Sequence, residues 1–117
     1  MTDELARLTH QIREFTDERG WRRFHDPKSL ILALTGEVGE LAELFQWIPA
    51  EEAVEVFRDP ARKQRAGEEM SDVLIYLLQL AEVLEVDLGS AASEKLAAAA
   101  ARYPASEGEH TAAPLKD

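Results

Sequence analysis

The sequence lacks several features that would each indicate a particular class of protein. Its 117 residues include no cysteine, which excludes disulfides and thiolate metal sites. No apolar run reaches the roughly 20 residues that a membrane-spanning helix needs. The first residues, Met1 to Glu4, have neither the basic nor the apolar region of a signal peptide. We therefore expect a single soluble domain in the cytoplasm, with no membrane partner.

Positive charge is also scarce. The chain has 13 Lys and Arg residues against 23 Asp and Glu residues, for a net charge of −10. A surface of this sign repels a phosphate backbone, which argues against a nucleic acid polymer as a partner. The same surface would repel a nucleoside triphosphate unless cations intervened. An anionic substrate for this chain would therefore imply bound divalent metal ions.

Strand-like alternation is missing, and apolar residues recur at helical spacing almost throughout. Asp26-Pro27 and Asp59-Pro60 each combine an N-cap acid with proline at the first helical position, and Gly20 indicates the end of a helix. The pattern predicts helices over about residues 2–19, 27–47, 49–58, 61–85 and 87–102. We predict an all-α fold, a bundle of four or five helices.

The organisation of the chain predicts one domain, a tail and an assembly. The domain is expected to span residues 1–104, and the polar, proline-containing residues 105–117 are expected to be disordered. Residues 73–84 are apolar almost all round, so their helix needs burial on every side. A monomer of 117 residues can hardly supply that burial, and we expect a homo-oligomer. Gly36 and Gly39, unfavourable inside a helix, predict close approach of another helix or of a ligand.

Two pairs of carboxylates are the residues most indicative of chemistry. Glu37 and Glu40 on the second long helix, and Glu69 and Asp72 on the next, are spaced three apart and so share a helix face. On the helix predicted over residues 61–85, one polar stripe crosses an otherwise apolar surface: Glu69, Asp72, Tyr76 and Gln79. A lone pair of this kind is usually only a solvated face. Two pairs packed together would repel or take up protons unless Mg²⁺ or Mn²⁺, which prefer oxygen ligands, bound between them.

These pairs and their surroundings resemble the MazG-like all-α nucleoside triphosphate pyrophosphohydrolases. The shared signature is E-x-x-E, a spacer over residues 41–68, and E-x-x-D. More specific similarity to the dCTP pyrophosphatase branch lies in the segments WRRFHDP (21–27), LTGEVGELAELFQW (34–47), EEMSDVLIYL (68–77), VDL (86–88) and RYP (102–104). The resemblance covers residues 5–104.

The resemblance implies hydrolysis of the α–β phosphoanhydride of a deoxynucleoside triphosphate to the monophosphate and pyrophosphate. It assigns Mg²⁺, with Mn²⁺ as an alternative, to Glu37, Glu40, Glu69 and Asp72. Glu40, at the edge of that group, is the candidate to accept the proton of the attacking water. The favoured substrate is dCTP or a 5-modified dCTP such as 5-methyl-dCTP, in a role of nucleotide-pool cleaning.

The resemblance also implies a set of substrate-binding residues. Aromatic positions of a base pocket, where stacking contributes roughly 1–3 kcal/mol per base, are matched by Trp21, His25, Trp47 and Tyr76. Basic positions on the last helix, expected to contact phosphate oxygens, are matched by Lys95 and Arg102. The sequence differs from the pattern of the family at two positions. Ala99 replaces an asparagine of related enzymes, which concerns affinity or specificity, and Ile12 replaces a histidine of the animal enzymes, which concerns base preference.

Two other interpretations are compatible with the sequence. The substrate could be another triphosphate, such as dUTP or a phosphoribosyl-ATP-like compound. Alternatively, the chain could be a non-catalytic helical interaction module that keeps the fold, which Ala99 alone favours. Four intact carboxylates argue against the module, because an unused desolvated cluster would be costly. For the enzyme we expect a dimer or a tetramer formed from two dimers.

Overall fold

The structure, a computed structural model, describes residues 2–105. This part of the chain contains helices and no β-strand, which confirms the predicted all-α class. The α-helices are α1 (Thr2–Glu18), α2 (Pro27–Glu43), α3 (Ala53–Val56), α4 (Pro60–Val83) and α5 (Leu88–Arg102), with short 3-10 helices at Arg22–Phe24 and Ala50–Glu52. Residues 106–117, in the predicted tail, lie outside the described residues.

Three helices begin where an aspartate side chain accepts a hydrogen bond from a backbone N–H of the first turn. The bonds are Ser29 to Asp26 (2.9 Å), Arg62 to Asp59 (3.1 Å) and Ser90 to Asp87 (3.2 Å). In α2 and α4 a proline, which lacks the N–H that would be unsatisfied there, occupies the first turn. The predicted starts of these helices are confirmed.

The end of α1 is a Schellman motif, in which the residue after the helix is left-handed. Gly20 has φ +67°, and its N–H donates to the carbonyl of Asp17 at 3.1 Å. The N–H of Trp21 donates to the carbonyl of Thr16 at 3.0 Å. The predicted end at Gly20 is confirmed, and this turn determines where Trp21 leaves the helix.

The predicted extension of the second helix to Trp47 is wrong, because α2 ends at Glu43. Pro49 prevents a regular helix from continuing past this point, and the chain before it forms successive i to i−3 turns from Leu44 onward. The bonds are Leu44 to Leu41 (3.2 Å), Phe45 to Ala42 (3.0 Å) and Ile48 to Phe45 (3.0 Å). Trp47 therefore lies in a turn, with 85% of its surface exposed.

Helices α2 and α4 pack side by side and form the main contact of the fold, and α1 lies against α4. The buried apolar residues between the helices are Leu30, Ala66, Leu78 and Ala81. Arg13 on α1 is joined to Glu82 on α4 by two hydrogen bonds, from Nε at 2.7 Å and from a terminal guanidinium nitrogen at 3.0 Å. The hydrogen bonds from Arg13 lower the pKa of Glu82, so the ion pair forms at neutral pH.

The expected close approach to Gly36 and Gly39 does not occur within the chain. A Cβ placed at either glycine would meet no neighbouring atom within 4 Å. Packing of the described helices against each other therefore does not require glycine here.

A single chain leaves much apolar surface exposed. Large apolar side chains among the described residues include Leu32 (62% exposed), Val54 (75%) and Leu96 (60%). The radius of gyration is 17.3 Å, whereas a compact domain of this length has about 13 Å. None of the helices in residues 2–105 combines the length and the hydropathy needed to cross a membrane.

Candidate metal and nucleotide site

Side-by-side packing of α2 and α4 brings three of the predicted carboxylates together. Glu37, Glu40 and Glu69 each place a carboxylate oxygen within 4.8 Å of the others. Glu37 is half-buried, Glu40 is exposed and Glu69 is buried, so the cluster runs from the helix interface to the surface. Such a graded cluster can hold an ion on its buried side and admit a ligand from its exposed side.

The carboxylates of the cluster repel one another, and a bound cation would reduce that repulsion. The pKa of Glu37 is raised, first by burial and then by the negative charges of Glu40, Asp72 and Glu69. One oxygen of Glu69 accepts a hydrogen bond from Arg65 Nε at 3.3 Å. The Oε1 atoms of Glu37 and Glu69 are buried and have no hydrogen-bond partner among the described residues.

Unpaired buried carboxylate oxygens are costly, and an oxygen-only donor set suits hard divalent cations. The cluster therefore fits Mg²⁺ or Mn²⁺.

The sequence analysis did not identify Arg65 as part of this cluster, although its position four residues before Glu69 is the usual helical spacing for an ion pair.

Asp72 lies beside this cluster and not within it. Its side chain is exposed and is absent from the three-residue group of close oxygens. It still raises the pKa of Glu37, both by its charge and through a hydrogen bond to the protonated form. Asp72 also lines the neighbouring cavity, so it forms the border between the carboxylate cluster and that cavity.

The neighbouring cavity, which we call the aromatic cavity, has a volume of about 400 Å³. Three of the four predicted base-pocket residues line it: Trp21, His25 and Tyr76. Its other lining residues are Gln11, Ile12, Phe15, Asp72, Ile75 and Gln79. Phe15 and Trp21 meet edge to face, with ring centroids 5.6 Å apart at 79°. An open cavity with aromatic walls beside four carboxylates can stack a planar base while a charged group lies at the cluster.

Comparison with known proteins identifies the family. The model of the MazG-like family matches residues 33–117. The chain belongs to the MazG-like family. The resemblance to the dCTP pyrophosphatase branch is also confirmed, since dCTP pyrophosphatase 1 of Bos taurus is 50% identical over 91 residues and that of Homo sapiens is 50% identical over 92.

The extent of these matches differs between the relatives. The Bos taurus match covers 78% of this chain and 54% of the relative, so the chain spans about half the length of the curated relatives it matches. A crystal structure of a pyrophosphatase from Archaeoglobus fulgidus DSM 4304 superimposes with a TM-score of 0.79 at 40% identity. That match covers 87% of this chain and 94% of the archaeal chain. The MazG-like fold is therefore shared over nearly the whole of the archaeal protein.

Three predicted substrate residues of this MazG-like chain do not line the aromatic cavity. Trp47, in the turn after α2, is not among the residues that line it. Lys95 and Arg102 are exposed on α5, whose most extensive contacts are with α1. The guanidinium carbon of Arg102 lies 5.7 Å from the centre of the Tyr103 ring. One chain thus assembles the carboxylates and one aromatic wall, but not the expected basic side.

Proposed function

We propose that this MazG-like chain is a Mg²⁺-dependent nucleotide pyrophosphohydrolase. It would cleave the α–β phosphoanhydride of deoxynucleoside triphosphates, with dCTP or a 5-modified dCTP favoured. The observation that carries the proposal is the adjacency of the carboxylate cluster and the aromatic cavity, with Asp72 bordering both. The similarity to dCTP pyrophosphatases supports the class of substrate. Nucleotide-pool cleaning in the cytoplasm is the corresponding biological role.

Some residues of the site would neutralise the charge of the phosphates, and others would position the substrate. Glu37, Glu40, Glu69 and Asp72 would hold Mg²⁺, or Mn²⁺, which when bound neutralises the phosphates and activates a water. Glu40, on the exposed side of the cluster, accepts the proton as the water oxygen bonds to the α-phosphorus. The bond from that phosphorus to the bridging oxygen breaks, and pyrophosphate leaves. Phosphoryl transfer of this kind depends mainly on positioning and charge neutralisation.

The aromatic cavity would position the base. Trp21, His25 and Tyr76 form its walls, and stacking there fixes the α-phosphate relative to Glu40. We propose that Trp47, Lys95 and Arg102 reach the nucleotide in a homo-oligomer, a dimer or a dimer of dimers. The exposed apolar surface of the single chain supports this assembly.

Another triphosphate is the second candidate substrate. Ile12 lines the aromatic cavity and is apolar, so it offers the base no hydrogen-bonding group at that point of the wall. Such a wall favours a broader preference that includes dUTP. A phosphoribosyl-ATP-like substrate and the non-catalytic module have no further support in the geometry.

Release of pyrophosphate from a panel of dNTPs, NTPs and 5-substituted dCTPs, with Mg²⁺ and then with EDTA, tests the proposal. We expect release from dCTP or its 5-substituted analogues that depends on Mg²⁺. Glu40→Gln should lower kcat by about 100-fold or more, since proton transfer contributes about 10²–10⁴. Glu43→Gln, an exposed glutamate on the same helix, is the matched control and should retain activity. No release from any nucleotide would leave the interaction module as the better explanation.

A further inference from the structure

Gln79 has a position and an unmet hydrogen-bonding capacity that the catalytic scheme does not use. We propose that its carboxamide recognises the hydrogen-bonding edge of a pyrimidine substrate base, through N3 and the 4-substituent. The inference rests on the proposed function and deepens it, because it assigns base recognition to one residue of the same site.

The spacing along α4 places Gln79 at the base end of the site. Asp72, Tyr76 and Gln79 are separated by four and three residues and therefore share one face of the helix. With a rise of 1.5 Å per residue, Gln79 lies about 10 Å along the axis from Asp72. That separation is comparable with the distance from the α-phosphate to the far edge of the base in an extended nucleotide. A nucleotide whose phosphates lie at Asp72 would bring its base past Tyr76 to Gln79.

Gln79 stands where the aromatic cavity meets a second, more polar cavity of about 320 Å³. Three residues line both cavities: Ile12, His25 and Gln79. Two of the charged residues that line the polar cavity, Arg13 and Glu82, are already joined by two mutual hydrogen bonds. Of the three shared residues, only Gln79 offers a donor and an acceptor side by side on one group.

The amide of Gln79 is incompletely bonded within the chain. Its Oε1 atom is buried and has no hydrogen-bond partner among the described residues. A buried amide with an unmet hydrogen bond is unfavourable, so a ligand that completes it gains affinity and a ligand that cannot is rejected. The oxygen and the nitrogen of the amide exchange positions by rotation about the Cγ–Cδ bond, so either atom can be turned toward the cavity.

The chemistry of a carboxamide matches a pyrimidine edge in two orientations. With cytosine, Nε2–H donates to N3 and Oε1 accepts from the 4-amino group. With uracil, the rotated amide donates to the 4-oxygen and accepts from N3–H. Gln79 therefore favours both bases over one without a 4-substituent, and does not by itself separate cytosine from uracil.

Three triphosphates measure this selection: dCTP, dUTP and the 2-pyrimidinone deoxynucleotide, which has no 4-substituent. In the unaltered protein we expect kcat/KM for dCTP to exceed that for the 2-pyrimidinone analogue by about tenfold, the effect of one net hydrogen bond. Gln79→Met keeps the length of the side chain and removes the amide, and it should reduce this ratio to near one. Gln79→Leu is a second variant with the same expectation. Gln64→Met is the control, because Gln64 lies on the same helix, exposed and bonded to Glu68.

If Gln79 had only a structural role, Gln79→Met would lower kcat/KM equally for all three nucleotides and leave the ratio of dCTP to the 2-pyrimidinone analogue unchanged. That result would overturn the proposal. Calorimetric titration of the unaltered protein with the same nucleotides in Ca²⁺ buffer measures the selection without turnover. Tenfold tighter binding of dCTP than of the analogue supports the role of Gln79 even if no nucleotide is hydrolysed, in which case hydrolysis alone is refuted. Equal binding of dCTP and the analogue overturns the role of Gln79, whatever the activity.

Discussion

Glu37 is a carboxylate whose surroundings disfavour its ionised form. Burial and three neighbouring carboxylates raise its pKa in the folded protein above the value in the unfolded chain. For an acid, this means that the ionised form destabilises the fold at neutral pH. The free energy of unfolding should therefore increase as the pH falls through the raised pKa of Glu37, because protonation removes the repulsion. The ionised form is also the one that binds a cation, so protons and Mg²⁺ compete for the same oxygens.

Substitution of Glu37 by glutamine tests this competition. In EDTA, Glu37→Gln should unfold at a higher temperature than the unaltered protein, because a buried repulsion is removed. Mg²⁺ at ten times its Kd should stabilise the unaltered protein by about 1.4 kcal/mol and the variant much less. Thermal unfolding with and without Mg²⁺ measures both effects, and Glu43→Gln should behave like the unaltered protein. If Mg²⁺ leaves the unaltered protein unshifted, the cluster is not a Mg²⁺ site.

Individual residues of the site were predictable to the extent that helical periodicity determines them. The spacing predicted that the carboxylates and Tyr76 lie on one face of each helix, and the packing of α2 against α4 brings these faces together. The periodicity could not show that Asp72 lies beside the tight cluster, since that depends on side-chain packing. Gln79 was visible as a member of the polar stripe, but its buried and unpartnered oxygen is a tertiary property.

At the scale of elements, helix ends were predictable where a specific residue marks them. Asp26, Asp59 and Gly20 supply caps whose chemistry is local. The end of α4 has no such mark: Glu85 adopts φ +57°, the left-handed conformation that favours glycine. The helix was predicted to run to Glu85 and ends at Val83, two residues earlier.

The two left-handed positions predict opposite effects of substitution. Glu85→Gly should stabilise the protein by roughly 0.5–1 kcal/mol, since relief of backbone strain outweighs the added entropy of the unfolded chain. Gly20→Ala should destabilise it by about 1 kcal/mol, because alanine brings that strain into the end of α1. Urea unfolding of the two variants against the unaltered protein measures both. A less stable Glu85→Gly together with a neutral Gly20→Ala would contradict the assignment of strain.

At the scale of the whole molecule, an apolar recess of about 490 Å³ lies between α3 and α4. Phe45 and Phe57, which line it, stack with ring centroids 4.6 Å apart. Val54 and Met70, which line it, are 75% and 52% exposed. The apolar pattern of α4 indicated an assembly, but helical periodicity carries no information on which faces of which copies meet.

Sedimentation velocity measures the assembly directly. We expect a mass two or four times the chain mass of 13.1 kDa. Val54→Lys places a charge in the recess and should shift the protein to smaller species, whereas Glu51→Lys, at an exposed polar position nearby, should not. A monomer at concentrations where the protein is active would contradict the homo-oligomer.

The proposed reaction requires the carboxylate cluster to direct water to the α-phosphorus of a deoxynucleoside triphosphate. Phosphorus NMR of dCTP incubated with the protein and Mg²⁺ in ¹⁸O-labelled water tests it most directly. We predict equal amounts of dCMP and pyrophosphate, with the ¹⁸O isotope shift on dCMP. Formation of dCDP and phosphate, label on pyrophosphate in place of dCMP, or no change in dCTP or any other nucleotide would contradict the proposed reaction.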